Sequence, residues 1–248
     1  MKAIYYILFL FTTIGFSQSD ALFDKANTLY NEGDYEQAIA TYNQLLTTKM
    51  HASEVYFNKA NAHYKLHQLA PSIYNYEKAL QLNSNNEDAK VNLVFANNQK
   101  IDKIDTIPTT GFSKMVNTFI NAFHFDVWSK IAIVFMCLFV FAIIGYLYSV
   151  YTIKKRLYFT VAAVSLLVAI VALSFTYQQE NNVKHTIYAI VFSKETQVKT
   201  APKLSSEQAF VLHEGTKVKV LENFKNWTKI KLTNGSIGWV IAKDIKNL

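Results

Sequence analysis

Two histidines, His63 and His67, stand four residues apart, one helical turn, and could aim two imidazoles at one metal ion. A zinc hydrolase built on such a helix needs Glu directly after the first His as its general base. Tyr64 stands there instead, and the rest of a ligand set is absent, so a packed His63 and a turn His67 are the plainer reading. His213 precedes Glu214, but no nucleophile accompanies the pair. Cys137 is the single cysteine and lies inside an apolar run, which leaves no disulfide framework and no thiolate metal site. Neither a triad, a carboxylate pair nor a metal cluster is visible. The chain is therefore expected to be no enzyme and to hold no cofactor or metal. What remains is recognition chemistry: Asn27, Tyr30, Asn61 and Tyr64 as candidate partner-binding residues, Trp227 and Trp239 as a candidate ligand groove, and Lys154, Lys155 and Arg156 as determinants of topology.

The first four of these sit in an internal repeat. A shift of 34 residues lays Phe23, Lys25, Ala26 and Asn27 on Phe57, Lys59, Ala60 and Asn61, and Tyr30, Ile39, Tyr42 and Leu46 on Tyr64, Ile73, Tyr76 and Leu80. That period belongs to helix–turn–helix units of the tetratricopeptide type, which residues 20–104 resemble. Gly33 marks the first turn, and Ala38 lets two helices approach closely. The second unit departs from the pattern, with His67 in place of the turn glycine and Ser72 in place of the alanine. Residues 87–103 read either as a third first-helix or as a cap on the apolar end of the stack.

Charge is distributed in blocks. Residues 131–153 and 157–179 contain no Asp, Glu, Lys or Arg, although the chain as a whole carries 43 such residues (25 basic, 18 acidic) and is 51% apolar. Each stretch reaches about 34 Å as a helix, enough to cross a bilayer with some tilt. Only Lys154–Arg156 separates them, so a tight antiparallel hairpin is expected, with its basic turn in the cytoplasm. Neither span holds an ionisable group that could relay protons or ions, so the hairpin reads as an anchor with Cys137 as inert packing. Residues 1–17 read as a secretory signal: Lys2, an apolar run, then Gly15 and Ser17 before a cut ahead of Gln18, with an uncleaved anchor as the alternative. Both soluble parts then lie outside the cytoplasm. Between repeat and span, residues 105–130 comprise a linker with Pro108 and Gly111, then an apolar stripe from Phe112 to Phe123. That stripe is either an interfacial helix with Trp128 at the membrane surface or a plain extension of the first span.

Residues 186–248 change to short β patterns at 188–192, 210–212, 217–221 and 228–232. Asn234-Gly235 is a two-residue hairpin signal requiring positive φ at both positions. Gly238–Val240 returns as a strand, and 242–245 suits a helical turn. Several short strands in so short a segment argue a small barrel. The motif order Val198–Pro202, Leu212–Thr216, Asn226-Trp227, Asn234-Gly235 and Gly238–Val240 resembles a bacterial SH3-type domain. The resemblance implies a turn at Gly215, core positions at Val218 and Val220, and a ligand wall built by Trp227 and Trp239. Core packing of the tryptophans is the competing expectation. Such domains often bind peptides or peptidoglycan.

Taken whole, the chain resembles the BatE family of the Bacteroides aerotolerance operon. The resemblance implies an inner-membrane scaffold with two spans and periplasmic domains, working beside von Willebrand factor A-type BatA- and BatB-like membrane proteins and a MoxR-type AAA ATPase in stress tolerance. The expected fold class is a multidomain membrane protein: all-α tetratricopeptide repeats, a transmembrane α-hairpin and an all-β SH3-type barrel. Residues 18–108 hold 8 Lys against 11 Asp and Glu, which favours a basic protein partner. Residues 180–248 hold 11 Lys against 6 acids, which suits anionic wall material and motivates the alternative of a peptidoglycan sensor. No stretch mixes dense Lys and Arg with stacking aromatics, so nucleic acid is not an expected partner.

Overall fold

The computed structural model describes residues 20–48, 51–104, 111–120, 122–123 and 125–248. The signal expected at 1–17 lies outside them, as does most of the linker. The chain forms two compact units, one from the residues up to Thr106 together with Ile187–Leu248, the other from Ile107–Thr186.

The first unit opens with five helices: α1 (20–31), α2 (Tyr35–Thr47), α3 (Ser53–Lys65), α4 (Leu69–Leu82) and α5 (Glu87–Asn98). Asp34 caps α2 by accepting from the Gln37 amide at 3.2 Å, and Asn86 caps α5 by accepting from Ala89 at 3.0 Å. Alanines at the crossings, Ala26, Ala38, Ala60, Ala70, Ala79, Ala89 and Ala96, are fully buried and bring helix backbones together around Tyr42, Leu45, Ile73 and Tyr76. The turn between α1 and α2 uses Gly33 at φ 85°. The equivalent turn between α3 and α4 forces His67 to φ 56°, a left-handed conformation that costs a side chain about 1–2 kcal/mol. Ser72 is buried where the first unit has Ala38.

Seven strands follow: β1 (Tyr188–Val191), β2 (Glu195–Lys199), β3 (Gln208–His213), β4 (Lys217–Phe224), β5 (Trp227–Lys231), β6 (Ile237–Ile241) and β7 (Ile245–Asn247). They make one antiparallel sheet in the order β3-β2-β6-β5-β4-β1-β7. Its core is Ala189, Val191, Val198, Leu212, Val218, Val220, Ile230, Leu232 and Val240, with Ile104 from the end of the helical segment packed against it. A 3₁₀ turn, Ala242–Asp244, fills the helical turn expected there. β2 and β7 were not legible as strands. The Asn234-Gly235 turn differs from expectation: only Gly235 has positive φ, at 86°. The Leu232 amide donates to Ser236 at 2.9 Å and the Gly235 amide to Leu232 at 3.0 Å, so the loop spans three residues. A left-handed residue at its last position is the geometry such loops require.

In β1 the alternation fails. Ala189 and Val191 face the sheet core, yet Ile190, on the opposite face, is also fully buried. It joins Phe192 and Leu248 in the cluster formed by Ala60, Ala70, Ile73, Tyr76, Ala79, Ala89 and Ala96. The sheet therefore seats on α4, and through Ile190, Phe192 and Leu248 it adds to the hydrophobic cluster of the helices while keeping a core of its own.

The second unit holds α6 (Phe112–Ile120), α7 (Phe125–Tyr148) and α8 (Thr152–His185). Two of these helices, over Asp126–Tyr148 and Thr152–Asn181, are long and apolar enough to cross a membrane. Small residues, Ala132, Ala142, Ala162, Ser165, Ala169 and Ala172, are buried between them, while Ile133, Phe141 and Leu167 point outward. A Cβ on Gly145 would meet the Tyr158 ring at 2.8 Å. The break between the helices lies at residues 149–151, so Lys154, Lys155 and Arg156 belong to the start of α8 rather than to the turn. A polar turn is not needed to break a helix. Cys137 is exposed on the hairpin rather than packed inside it. Trp128 is buried, not presented outward: its ring stands 5.6 Å from Phe119, 5.6 Å from Phe123 and 5.1 Å from Phe175, and its Nε1 donates to the Ile120 carbonyl at 2.9 Å. Gln179 Nε2 donates to the Ile120 and Phe123 carbonyls as well, which satisfies backbone groups that α6 leaves open at its end.

Candidate functional site

The repeat positions α1, α3 and α5 as successive first helices, and one hydrogen-bond motif recurs between them. Asn27 Oδ1 accepts from Tyr42 Oη at 2.6 Å and from Asn58 Nδ2 at 2.9 Å. One period later Asn61 Oδ1 accepts from Tyr76 Oη at 2.5 Å and from Asn92 Nδ2 at 2.9 Å. Asn92 thus does for α5 what Asn58 does for α3, so α5 behaves as the first helix of a third unit. Burial pushes the Tyr42 hydroxyl up to about 12 and the Tyr76 hydroxyl higher still, which keeps both as neutral donors.

A cleft of about 240 Å³ opens along these helices, lined by Tyr30, Asn61, Tyr64, Lys65, Tyr76, Asn92 and Phe95. Small-molecule sites run upward from about 300 Å³, so this cleft suits one or two side chains of a protein ligand. Three of the four residues singled out in the sequence line it. Asn27 does not; it serves the motif one unit earlier. Tyr64 Oη accepts from Gln99 Nε2 at 2.7 Å, and Tyr30 meets Tyr35 edge-on at 5.3 Å. Phe95, 57% exposed, supplies an apolar contact the sequence reading passed over, although the 34-residue shift from Asn61 lands on it.

Trp227 and Trp239 stand on the outer face of the sheet. Thr228, Ile230, Gly238 and Val240 alternate with them and turn inward, so neither tryptophan is core. Register pairs Lys229 with Trp239 and Phe224 with Trp227. Phe224 lies edge-on to Trp239 at 6.4 Å, with Lys229 Nζ 5.7 Å from the Trp239 ring and Lys225 Nζ 5.4 Å from Phe224. The result is a half-open aromatic face with cations along its rim.

The histidines do other work. His63 Nδ1 donates to Gln68 Oε1 at 2.6 Å, and burial holds its basicity below the ordinary range. Among the described residues no group of three or more His, Cys, Asp or Glu could hold a metal ion. His213 ignores Glu214 and pairs with Asp102, Nδ1 to Oδ1 at 2.7 Å. Asp102 Oδ2 also accepts from the His213 amide at 2.7 Å and from Thr216 Oγ1 at 2.6 Å. Burial alone would raise the Asp102 pKa; these hydrogen bonds outweigh it and hold the carboxyl below its usual value. Lys217 Nζ reaches Glu77 at 2.7 Å, and a Cβ on Gly215 would meet Ile73 at 2.8 Å. Here the helical repeats and the sheet are latched together. Sequence spacing gave no sign of it.

Residues 194–246 match the family model of the bacterial SH3 domain, and residues 19–49 and 53–86 match two models of the tetratricopeptide repeat. No curated protein matches the chain. The molecule is thus an all-α tetratricopeptide region, two apolar helices and a C-terminal antiparallel sheet of SH3 type. Both matched families are interaction domains, which supports a protein-binding adaptor role.

Proposed function

We propose that the chain is a non-enzymatic, membrane-anchored adaptor that holds a protein partner through the cleft of its tetratricopeptide repeats. The observation that carries this reading is the cleft itself, where Tyr30, Tyr64 and Phe95 present ring surface over a hydrogen-bonded Asn61–Tyr76–Asn92 floor. Two apolar helices support the anchor. A common side for both ends is supported by connectivity: residues before 107 and after 186 form one compact unit, and one body cannot straddle a bilayer. An even number of crossings between them, with Lys154–Arg156 beside the turn, favours that unit on the side opposite the cytoplasm, in the periplasm against the inner membrane. By resemblance to the BatE family, the partners are BatA- and BatB-like von Willebrand factor A-type membrane proteins within an aerotolerance complex.

Affinity capture from solubilised membranes tests this with the full-length chain as bait. The wild type should enrich an envelope membrane protein, and Phe95→Ser, at a side chain more than half exposed, should lose it at unchanged thermal stability. Equal recovery by both would refute the cleft as the binding surface.

The half-open Phe224–Trp227–Trp239 face favours a second reading, a wall sensor in which the SH3-type domain takes peptidoglycan or peptides. Co-sedimentation with isolated sacculi, lost on Trp227→Ala, would favour it over the adaptor.

A further inference from the structure

The seam between the repeats and the sheet has two halves of opposite character. On one half acids meet bases: Asp102 pairs with His213, and Glu77 with Lys217. On the other stand Lys59 of α3, Lys78 of α4 and Lys246 of the edge strand β7. Tyr74 gathers two of them, with Lys246 Nζ 4.4 Å and Lys78 Nζ 5.9 Å from its ring centroid. Phe192 closes the same face, its ring 5.7 Å from Tyr74 and 5.6 Å from Lys246 Nζ. Lys78 Nζ also donates to Gln81 Oε1 at 3.4 Å. Lys59 lies half-buried, one helical turn before the buried His63. Among the described residues none of the three lysines has an ion-pair partner.

Helix packing does not demand this composition. The 34-residue shift lays His63 on Leu29, Tyr74 on Ala40 and Lys78 on Gln44, so the second unit gains a ring and a cation where it meets the sheet. Lys59 falls on Lys25, which stays exposed in the first unit. Covering an ammonium without a counter-charge is costly. Burial, and after it the charge of Lys246, lowers the basicity of both Lys59 and Lys78. Lysines bind phosphate as point charges. A phosphate group carries about −1.5 to −2 at pH 7, so it offsets more of this cluster than a single carboxylate can. Lys246 is exposed, which leaves the cluster open to a soluble ligand.

We propose that Lys59, Lys78 and Lys246 form a binding site for a phosphate-class dianion at the seam between the repeats and the sheet. The ligand supplies the counter-charge that this half of the seam lacks and ties α3 and α4 to β7. The site depends neither on what fills the repeat cleft nor on the anchor.

The test reads lysine acetylation by mass spectrometry on the full-length protein in detergent micelles, in inorganic phosphate and in chloride of equal ionic strength, at a pH near 8. With its pKa at about 8, Lys59 is about half unprotonated there, and a bound dianion that raises the value by about one unit cuts that share to about a tenth. Lys59 should therefore react about fivefold more slowly in phosphate. Lys78 and Lys246 should slow with it, while Lys25 and Lys90 keep their rates. In K246Q, which alters an exposed side chain, the phosphate-to-chloride ratio at Lys59 should return to about one with the circular dichroism unchanged, and K78Q should act in the same direction. Glycerol phosphate separates the sources: protection at lower concentration than the inorganic ion assigns a phosphorylated small molecule, and the reverse order assigns free phosphate. Equal rates in phosphate and chloride would overturn the site. Equal protection by acetate would overturn the dianion, and equal slowing of Lys25 and Lys90 would reduce the effect to screening. Full protection of Lys59 in both variants would overturn the assignment of these lysines.

Discussion

Asn61 has two bound partners on its carbonyl oxygen, Tyr76 at 2.5 Å and Asn92 at 2.9 Å, and it also floors the cleft. Replacing it by Ala leaves two donors without their acceptor, and each unsatisfied buried group costs about 1–3 kcal/mol. Asn61→Ala should therefore lower the thermal midpoint clearly, whereas Phe95→Ser should weaken partner capture with little loss of stability. Thermal unfolding alongside capture separates the two roles. Lys59 makes a different prediction. Burial, reinforced by the charge of Lys246, lowers its pKa from 10.5 to about 8. The unfolded chain then holds the extra proton between those values, so stability rises with pH across that window and the penalty is fully present below it. Lys59→Met should stabilise the fold at neutral pH and flatten this rise; a denaturation series across that range checks the sign. At this scale the repeat exposed Asn27, Asn61, Tyr30 and Tyr64 because identical groups recur at a fixed period. It could not reveal that Asn27 and Asn61 face inward bonds as much as a ligand. Asp102 and His213 were invisible because a contact between residues 111 apart leaves no local pattern.

The 34-residue period was legible because helix packing repeats in each unit, and the two apolar runs because length and lack of charge can be read from the sequence alone. The boundaries were less so: α8 starts at Thr152 and includes the basic triplet, since the end of a span is set by the turn geometry and not by where charges begin. β2 and β7 escaped notice because Glu195–Lys199 and Ile245–Asn247 are short and largely polar, and pairing rather than composition makes them strands. β1 did carry a signal. Its unbroken apolar run, Ala189 to Phe192, marks a strand covered on both faces. Ile190→Asp should break the contact with α4, since an unpaired buried charge costs several kcal/mol, yet it leaves the inner face of the sheet untouched. Limited proteolysis at residues 99–104 should then accelerate while the tetratricopeptide helices keep their circular dichroism. Unchanged cleavage would mean that the modules do not depend on this seat.

For the whole molecule, the contact between repeats and sheet bears on the proposed topology. On the anchor reading, one compact unit built from both ends of the chain lies on one side of the membrane, and the hairpin leaves it and returns to it. In a Cys137→Ser background, a cysteine at Asn234 should react with a membrane-impermeant thiol reagent once the outer envelope is opened. One at Val150, in the exposed turn between α7 and α8, should stay protected until the inner membrane is broken. The reverse pattern would invert the molecule and place its cleft in the cytoplasm.

The adaptor reading stands or falls on whether a protein occupies the cleft in the living membrane. A photo-crosslinking residue in place of Tyr64 should yield a discrete adduct with a membrane protein of the envelope. The same residue at Lys90, on α5 but outside the cleft lining, should yield little. Adducts of equal intensity at both positions, or none at Tyr64 while Trp227 crosslinks to wall material, would contradict the adaptor.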